Sequence, residues 1–462
     1  MRRLPFALAA PLTALAARAQ QPGTPTGTSN SLPPARALGA VEARAPEPLA
    51  SIAAVRALPG GRVLVNDPAR RRILLFDSTL ATYTVVADTT SATGHAYGSP
   101  FGGLVPYRGD STLFVDPSAL SMLVIDPAGK LGRTMAVPRS HDATAIAGNG
   151  LGVPGFDAHG RLVYHGQPKF QLLGSPGAGP RAPVFPDSLP LVRVDLATRK
   201  LDTVAFVRVA FGKHTVTQDA NGRESVTTLQ NPLPVVDDWA VLSDGTIMIL
   251  RGQDFHADLV GTDGKLRSAP KMPHDWQRMN DEQKVAFLDS TKAAMEKARA
   301  EMQARLAAGT VSGAGGGTPG GAAGGSAPAG GAGAGMTIVI STSRDDGPPA
   351  RNGEPPPRGG APAVTMSVPP ITFVPASELP DYKPAFARGG ARADADGHVW
   401  VRLIATKPMP GPVYDVIDGQ GRLVDRVVLP PNSAVAGFGP GGVVYLGVRD
   451  SAGVHLQRAR MR

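Results

Sequence analysis

The chain of 462 residues contains no cysteine. Disulfides, thiol nucleophiles, zinc–thiolate sites and a lipid-modified cysteine are therefore excluded. Aromatic residues make up 5% of the chain, with three tryptophans: Trp239, Trp276 and Trp400. That is sparse for the stacking platforms that single-stranded nucleic acids need, and it leaves few flat surfaces for a carbohydrate. The formal charge is +9, yet Arg70-Arg71-Arg72 is the only tight basic cluster. Without a basic stripe no nucleic-acid partner is expected, and the excess reads as solubility with a mild preference for acidic partners. Long apolar runs are also missing. The one near the start, Leu4 to Ala16, holds Pro5 and Pro11 and is too short to span a bilayer, so no membrane span is expected.

That run follows Arg2-Arg3 and precedes Ala17-Arg18-Ala19. A basic start, an apolar core and an Ala-x-Ala site predict a signal peptide over 1–19 and a periplasmic or secreted protein beginning at Gln20. Cleavage removes three arginines and leaves a formal +6. Residues 20–35, rich in Pro, Gly, Ser and Thr, read as a disordered linker.

What the chain has in plenty is Gly and Pro, 56 and 45 residues. They punctuate a repeated pair of turns. The first turn is clearest at Asp396-Gly397 and recurs at Pro59-Gly60-Gly61, Arg108-Gly109-Asp110, Asp157-Ala158-His159-Gly160, Ser243-Asp244-Gly245 and Gly439-Pro440-Gly441. A β-branched run such as Val63-Leu64-Val65 or Val399-Trp400-Val401 follows each. The second turn recurs at Asp77, Asp126, Asp195, Asp263 and Asp418, with Ser451-Ala452-Gly453 as a degraded sixth. Gly and Asp suit tight turns because they tolerate positive φ. Gly60 and Gly109 lie 49 residues apart, as do Asp77 and Asp126. Four short strands per unit at that spacing predict an all-β chain, a six-bladed β-propeller. A β-sandwich with coincidental turns is the competing architecture, and the regular spacing disfavours it. The last unit runs out of chain after its third strand, Val454 to Gln457, and the segment Arg36 to Glu42 has no unit of its own. It is expected to supply the missing outer strand of blade six and close the ring.

The stretch Asp394-Ala395-Asp396-Gly397-His398-Val399-Trp400-Val401 resembles the blade motif of secreted six-bladed propellers of the NHL-repeat and streptogramin-lyase type. The resemblance covers one blade well and five loosely, and it implies the fold and little about activity. Streptogramin-type lyases use a close His/Glu/His set on inner strands, and the matching blades here place no Glu between two His. Lactonase-type propellers hold a divalent metal with Glu, Asn and Asp, for which Asn66, Asp116 and Asn149 are available here without an inner-strand Glu.

Blades one to four with the closing strand are expected over 36–272 and blades five and six over 388–462. Because strands alternate in direction, the paired turns share one rim, and nearly all inserted chain falls on the other. The largest insertion, 273–387, opens with Asn280-Asp281-Glu282-Gln283, a capping box that predicts a helix to about Ala308 with Leu288, Met295 and Met302 in one stripe. Gly309 to Gly335 reads as a flexible tether, Arg344 to Pro362 as disordered, and two strand-like runs, Thr337 to Ile340 and Val364 to Val368, as a possible pair. Two roles fit this insertion: a lid over the ring's mouth, or an appendage whose helix packs on a blade.

No Gly-x-Ser-x-Gly elbow occurs, and the nine histidines show no His-x-His or His-x-x-x-His spacing. No catalytic residue, metal ligand or cofactor is assigned. The second strand of each blade ends towards the elaborated rim in polar residues: Asn66 beside Asp67, Asp116, His165, Arg251 and Arg402, with Arg449 in blade six. Arginines with a histidine around one mouth suit a carboxylate or phosphate. Polarity of strand ends that merely reach solvent is the plain alternative. The expected function is an exported module binding a small anionic ligand or a protein through its loop-rich rim. A lactonase- or lyase-type enzyme on the same rim is the alternative.

Overall fold

The structure, a computed structural model, describes residues 31–148, 151–167, 185–218, 224–307, 339–343, 363–367 and 372–461. The segments expected to be a signal peptide, a flexible tether and a disordered Pro-rich stretch, and Asn149, lie outside these residues.

Five antiparallel sheets are each built from four successive strands, and a sixth from three successive strands and one from the N-terminal segment. Their first strands are Ala54–Ala57, Gly103–Pro106, Gly155–Phe156, Asp238–Val241, Phe386–Ala393 and Ser433–Gly439. First strands of successive sheets touch one another, so they form the innermost layer. Alternation of apolar residues gives each sheet two buried faces. Six buried clusters result, one between each pair of neighbouring sheets. Val65 and Leu74 of sheet one meet Tyr445 and Leu456 of sheet six, and Trp400 and Val416 of sheet five meet Val444 and Leu446 of sheet six. The other four clusters join one to two, two to three, three to four and four to five. The chain is a six-bladed β-propeller.

Closure uses the N-terminal segment. Val41–Arg44 pairs antiparallel with Val454–Arg460 as the outer strand of blade six, Val41 opposite Ala459. The preceding Ala35–Ala37 goes elsewhere: it adds a fifth, parallel strand to blade five beside Leu423–Val428. Arg36 clamps Asp425 there through two hydrogen bonds. The segment expected to pair wholly with blade six therefore staples two blades. One turn is also reassigned. Asp450 to Gly453 joins the second and third strands of blade six, so Ser451-Ala452-Gly453 sits on the opposite rim from the paired turns. The outer strand of blade six comes from the N-terminal segment, so no turn joins it to the third strand.

The paired turns share one mechanism. Asp394 Oδ1 accepts the backbone N–H of Asp396 and His398, while Oδ2 accepts the Trp400 indole N–H at 3.1 Å. Asp396 reaches across to the N–H groups of Gly441 and Gly442 in blade six. Gly397 follows at φ +90°, where an L side chain is strained. The motif thus ties its own turn, its buried tryptophan and the next blade. Asp77, Asp126, Asp157, Asp195 and Asp418 fold their turns in the same way.

On the other rim, the capping box forms as expected, with Gln283 N–H on Asn280 Oδ1 and Asn280 N–H on Gln283 Oε1. The helix Asp281–Ala307 follows. Phe287 and Leu288 pack on Leu233, Met279, Val374, Leu379 and Ile404, so its first turns are anchored to blade five. Val339–Ser343 and Ala363–Ser367 pair antiparallel with each other. Lys213–Gln218, Glu224–Gln230 and Thr372–Phe373 form a further small sheet. Among the described residues no helix is long and apolar enough to cross a membrane.

Candidate functional site

The polar strand ends on the elaborated rim fall into two groups. In the first, the side chain is engaged within the fold. Asn66, fully buried, accepts the Tyr97 hydroxyl at 2.7 Å and donates to the Gly102 carbonyl at 2.7 Å. Asp116 accepts from the N–H groups of Gly98, Ser118 and Ala119 and from the Ser118 hydroxyl. Arg251 is held between Asp237 and Asp258, each at 2.7 Å, and also donates to the Phe206 carbonyl. Those carboxylates raise its pKa even against burial. Its charge is matched inside the protein.

The second group is not engaged. Arg402 is exposed and forms no side-chain hydrogen bond or ion pair with the described residues. His165 is buried, its Nδ1 3.3 Å from the Gly166 carbonyl, and its Nε2 has no partner among the described residues. A carbonyl only accepts, so Nδ1 carries the proton and Nε2 presents a lone pair. Burial pushes the imidazole pKa down to about 4, with the Arg388 charge acting the same way. His165 is neutral at pH 7. Behind it, Asp142 Oδ2 accepts from the Tyr164 hydroxyl at 2.8 Å and from Arg139 at 2.6 Å.

Arg388 is the residue that sequence reasoning missed. It stands on the inner strand of blade five, in a bulge. Phe386 pairs with Leu403 and Ala391 with Val401, so four residues, Ala387 to Gly390, face the single Arg402. Gly389 takes φ +74°. A Cβ on Gly390 would sit 3.0 Å from the Ala387 carbonyl oxygen, too tight for a side chain. The pair Gly389-Gly390 inside a strand is the sequence signal for such a bulge. Arg388 is exposed to solvent, yet surrounding protein lowers its pKa, with Asp238 opposing. Both hold for a side chain in a water-filled channel. It forms no hydrogen bond or ion pair with the described residues.

Asp238 starts the inner strand of blade four. Its Oδ2 accepts the N–H of Ala391 at 2.9 Å, where the bulge ends, and Oδ1 accepts the N–H of Trp239. Burial pushes its pKa up to about 6, against the pull of Arg392. The six inner strands together carry four ionisable side chains: Arg56, Asp238, Arg388 and Arg392. Arg56 is also depressed by burial, and its Nε has no partner among the described residues. Three cations against one partly titrated carboxyl make the innermost layer cationic. Among the described residues no three His, Asp or Glu gather as a metal-holding group.

No family model matches the chain, and no curated protein matches it. Solved propellers do. One is a streptogramin B lyase, 11% identical over 91% of this chain and 96% of that one, TM-score 0.33. Another is the calcium-binding protein regucalcin of Agrobacterium tumefaciens, 11% identical over 92% and 97%, TM-score 0.32. A third is a gluconolactonase of Xanthomonas campestris, 12% identical over 53% and 90%, TM-score 0.23. The strand pairing, not these likenesses, establishes the ring.

Proposed function

We propose that this chain is an exported binding module for a small carboxylate, sulfate or phosphate anion, taken at the mouth of the central channel on the elaborated rim. The observation that carries the reading is Arg388, a solvent-reached guanidinium on the innermost strand with no counter-ion bonded to it among the described residues. Most half-buried arginines, by contrast, are matched: Arg72 by Asp67, Arg161 by Asp157, Arg251 by Asp237 and Asp258, Arg426 by Asp415. Leaving a guanidinium unmatched inside a fold is unfavourable unless something fills the place. Its planar fork suits two-point contact with an anion, and Arg402 opposite the bulge adds a second free cation. Isothermal titration calorimetry with sulfate tests this. Arg388→Ala is expected to lose affinity about ten-fold or more, the size of a charge-assisted contact, with Tm unchanged. Equal affinity in the variant defeats the reading.

A lactonase- or lyase-type enzyme is the second reading, and His165 favours it. An unprotonated imidazole with a free Nε2 near an arginine is a group suited to general-base work. Hydrolysis of a lactone panel by the purified protein, abolished in His165→Gln while sulfate still binds, would move the reading from carrier to catalyst.

A further inference from the structure

We infer that Asp238 is the internal counter-ion and positioning residue of the channel's anion site: it holds the Arg388 bulge in place and competes electrostatically with the ligand. The inference rests on the anion-binding reading above. Its grounds are geometric. The bulge of blade five meets its neighbour at the Asp238 carboxylate, whose Oδ2 accepts the Ala391 N–H at 2.9 Å across 153 residues of sequence, with the Gly390 backbone also bonding to it. Without the Asp238 carboxyl, the end of the bulge loses the acceptor that fixes where the strand resumes, and with it the aim of Arg388.

The surroundings of Asp238 are simple. Arg388 and Arg392 face it from blade five, and these are the ionisable groups on that inner strand. Blade three packs on its other side with Gly155–Phe156, which carries no titratable group. Asp237, next in sequence, is paired with Arg251. The buried carboxylate of Asp238 and an anion bound at Arg388 therefore act electrostatically on the same two guanidinium groups. A carboxyl also accepts a backbone N–H whether charged or neutral. Protonating Asp238 thus keeps the bulge pinned while removing the competing charge.

The sign follows. Burial raises the carboxyl pKa to about 6, so Asp238 is an anion above that pH and neutral below it. Anion binding tightens as pH falls through 6 and weakens as it rises. Like charges several ångströms apart at the effective dielectric of a protein interior repel enough for a change of about ten-fold. His165 does not contribute in this window because its imidazole is already neutral.

The test is sulfate titrated calorimetrically into the full chain from pH 5 to pH 8, a range over which sulfate keeps its charge. Wild type should bind about ten-fold tighter at pH 5 than at pH 7.5. Asp238→Asn retains an acceptor for Ala391 without the charge, so it should bind at pH 7.5 as wild type does at pH 5, with a flat profile. Loss of the slope in Asp238→Asn is therefore the diagnostic. Asp238→Ala should lose affinity at every pH, and Asn should restore it. A slope that persists in Asp238→Asn while Arg388→Ala abolishes binding overturns the role of Asp238 and leaves the anion site standing. Sulfate binding that is absent in wild type or unaffected by Arg388→Ala overturns both.

Discussion

The two rims of this ring are built from the same residue types and do opposite things with them. On the rim of paired turns, each aspartate closes on its own turn. Asp394 satisfies two N–H groups and an indole, and Asp157 and Asp418 add an arginine four residues on to the same hairpin. Buried polar atoms near these turns without a partner among the described residues include Arg56 Nε, on the strand entering the first of them. On the elaborated rim, side chains reach across blades: Arg251 to Asp237 and Asp258, Asp238 to Ala391, Tyr97 to Asn66. There the accounts do not close. His165 Nε2, Arg388 and Arg402 stand open among the described residues. Local closure fixes a fold at little risk, whereas long-range polar contacts leave gaps that a ligand can fill. This difference is what the proposed anion site on the elaborated rim rests on.

The largest effect expected concerns what both rims depend on, the closed ring. Removing residues 31–45 takes away the outer strand of blade six, the parallel strand of blade five, and buried Leu38 and Ala45. It also leaves Asp425, Arg458 and Arg460 without Arg36 and Glu42. Stability should fall by about 4 kcal/mol, a large share of what such a domain has. Chemical denaturation with a truncated chain measures it, and an unchanged midpoint would show that the staple is ornamental.

The middle effect separates the rims. Asp394→Ala strips a fully buried tryptophan of its only indole acceptor and unties the turn, and should cost about 2 kcal/mol while leaving sulfate affinity as it was. Arg388→Ala should do the reverse. If Asp394→Ala altered binding as much as stability, the division of labour between rims would be wrong.

The turn rim was legible in the sequence because its chemistry is local. Asp-x-x-Gly spacings and the β-branched runs after them are set by neighbours within five residues, so the blades and the capping box at Asn280 could be read directly. The elaborated rim was less so. His165 and Arg402 were picked out by strand-end position, but Arg251 looked equally free, and nothing near it in sequence reveals that Asp237 lies 2.7 Å away. Arg388 was passed over because a bulge must be recognised before an inner-strand residue can be aimed at the channel. The Gly389-Gly390 pair was the signal, and Asp238, 153 residues earlier, was the partner no spacing rule could supply. The N-terminal segment misled for a similar reason: pattern predicts that a missing strand is filled, not that the three residues before it join another blade.

The smallest effect concerns the insertion, where the same contrast recurs within one segment. Its first part is bound to the ring: Phe287 and Leu288 sit on Ile404 and Leu379, and Lys284, buried on the helix, pairs with Asp381 at 2.6 Å. Thr372 and Phe373 return by pairing with Leu229 and Gln230. Between these anchors, the strands Val339–Ser343 and Ala363–Ser367 pair with each other and with no other strand among the described residues. The Gly-rich and Pro-rich sequence around them offers almost no apolar side chains to bury. Replacing 308–371 by a short Gly/Ser linker therefore removes no strand pairing with the ring among the described residues, and loop-closure entropy changes slowly with length, so stability should shift by less than about 1 kcal/mol. Sulfate affinity measured on the same protein gives the second half of the answer. Unchanged stability with changed affinity makes this part of the insertion a cover for the channel mouth. Unchanged values of both leave the proposed surface of Arg388, Arg402 and His165 intact and turn attention to the parts of the insertion packed beside blade five, the helix with Val374 and Leu379.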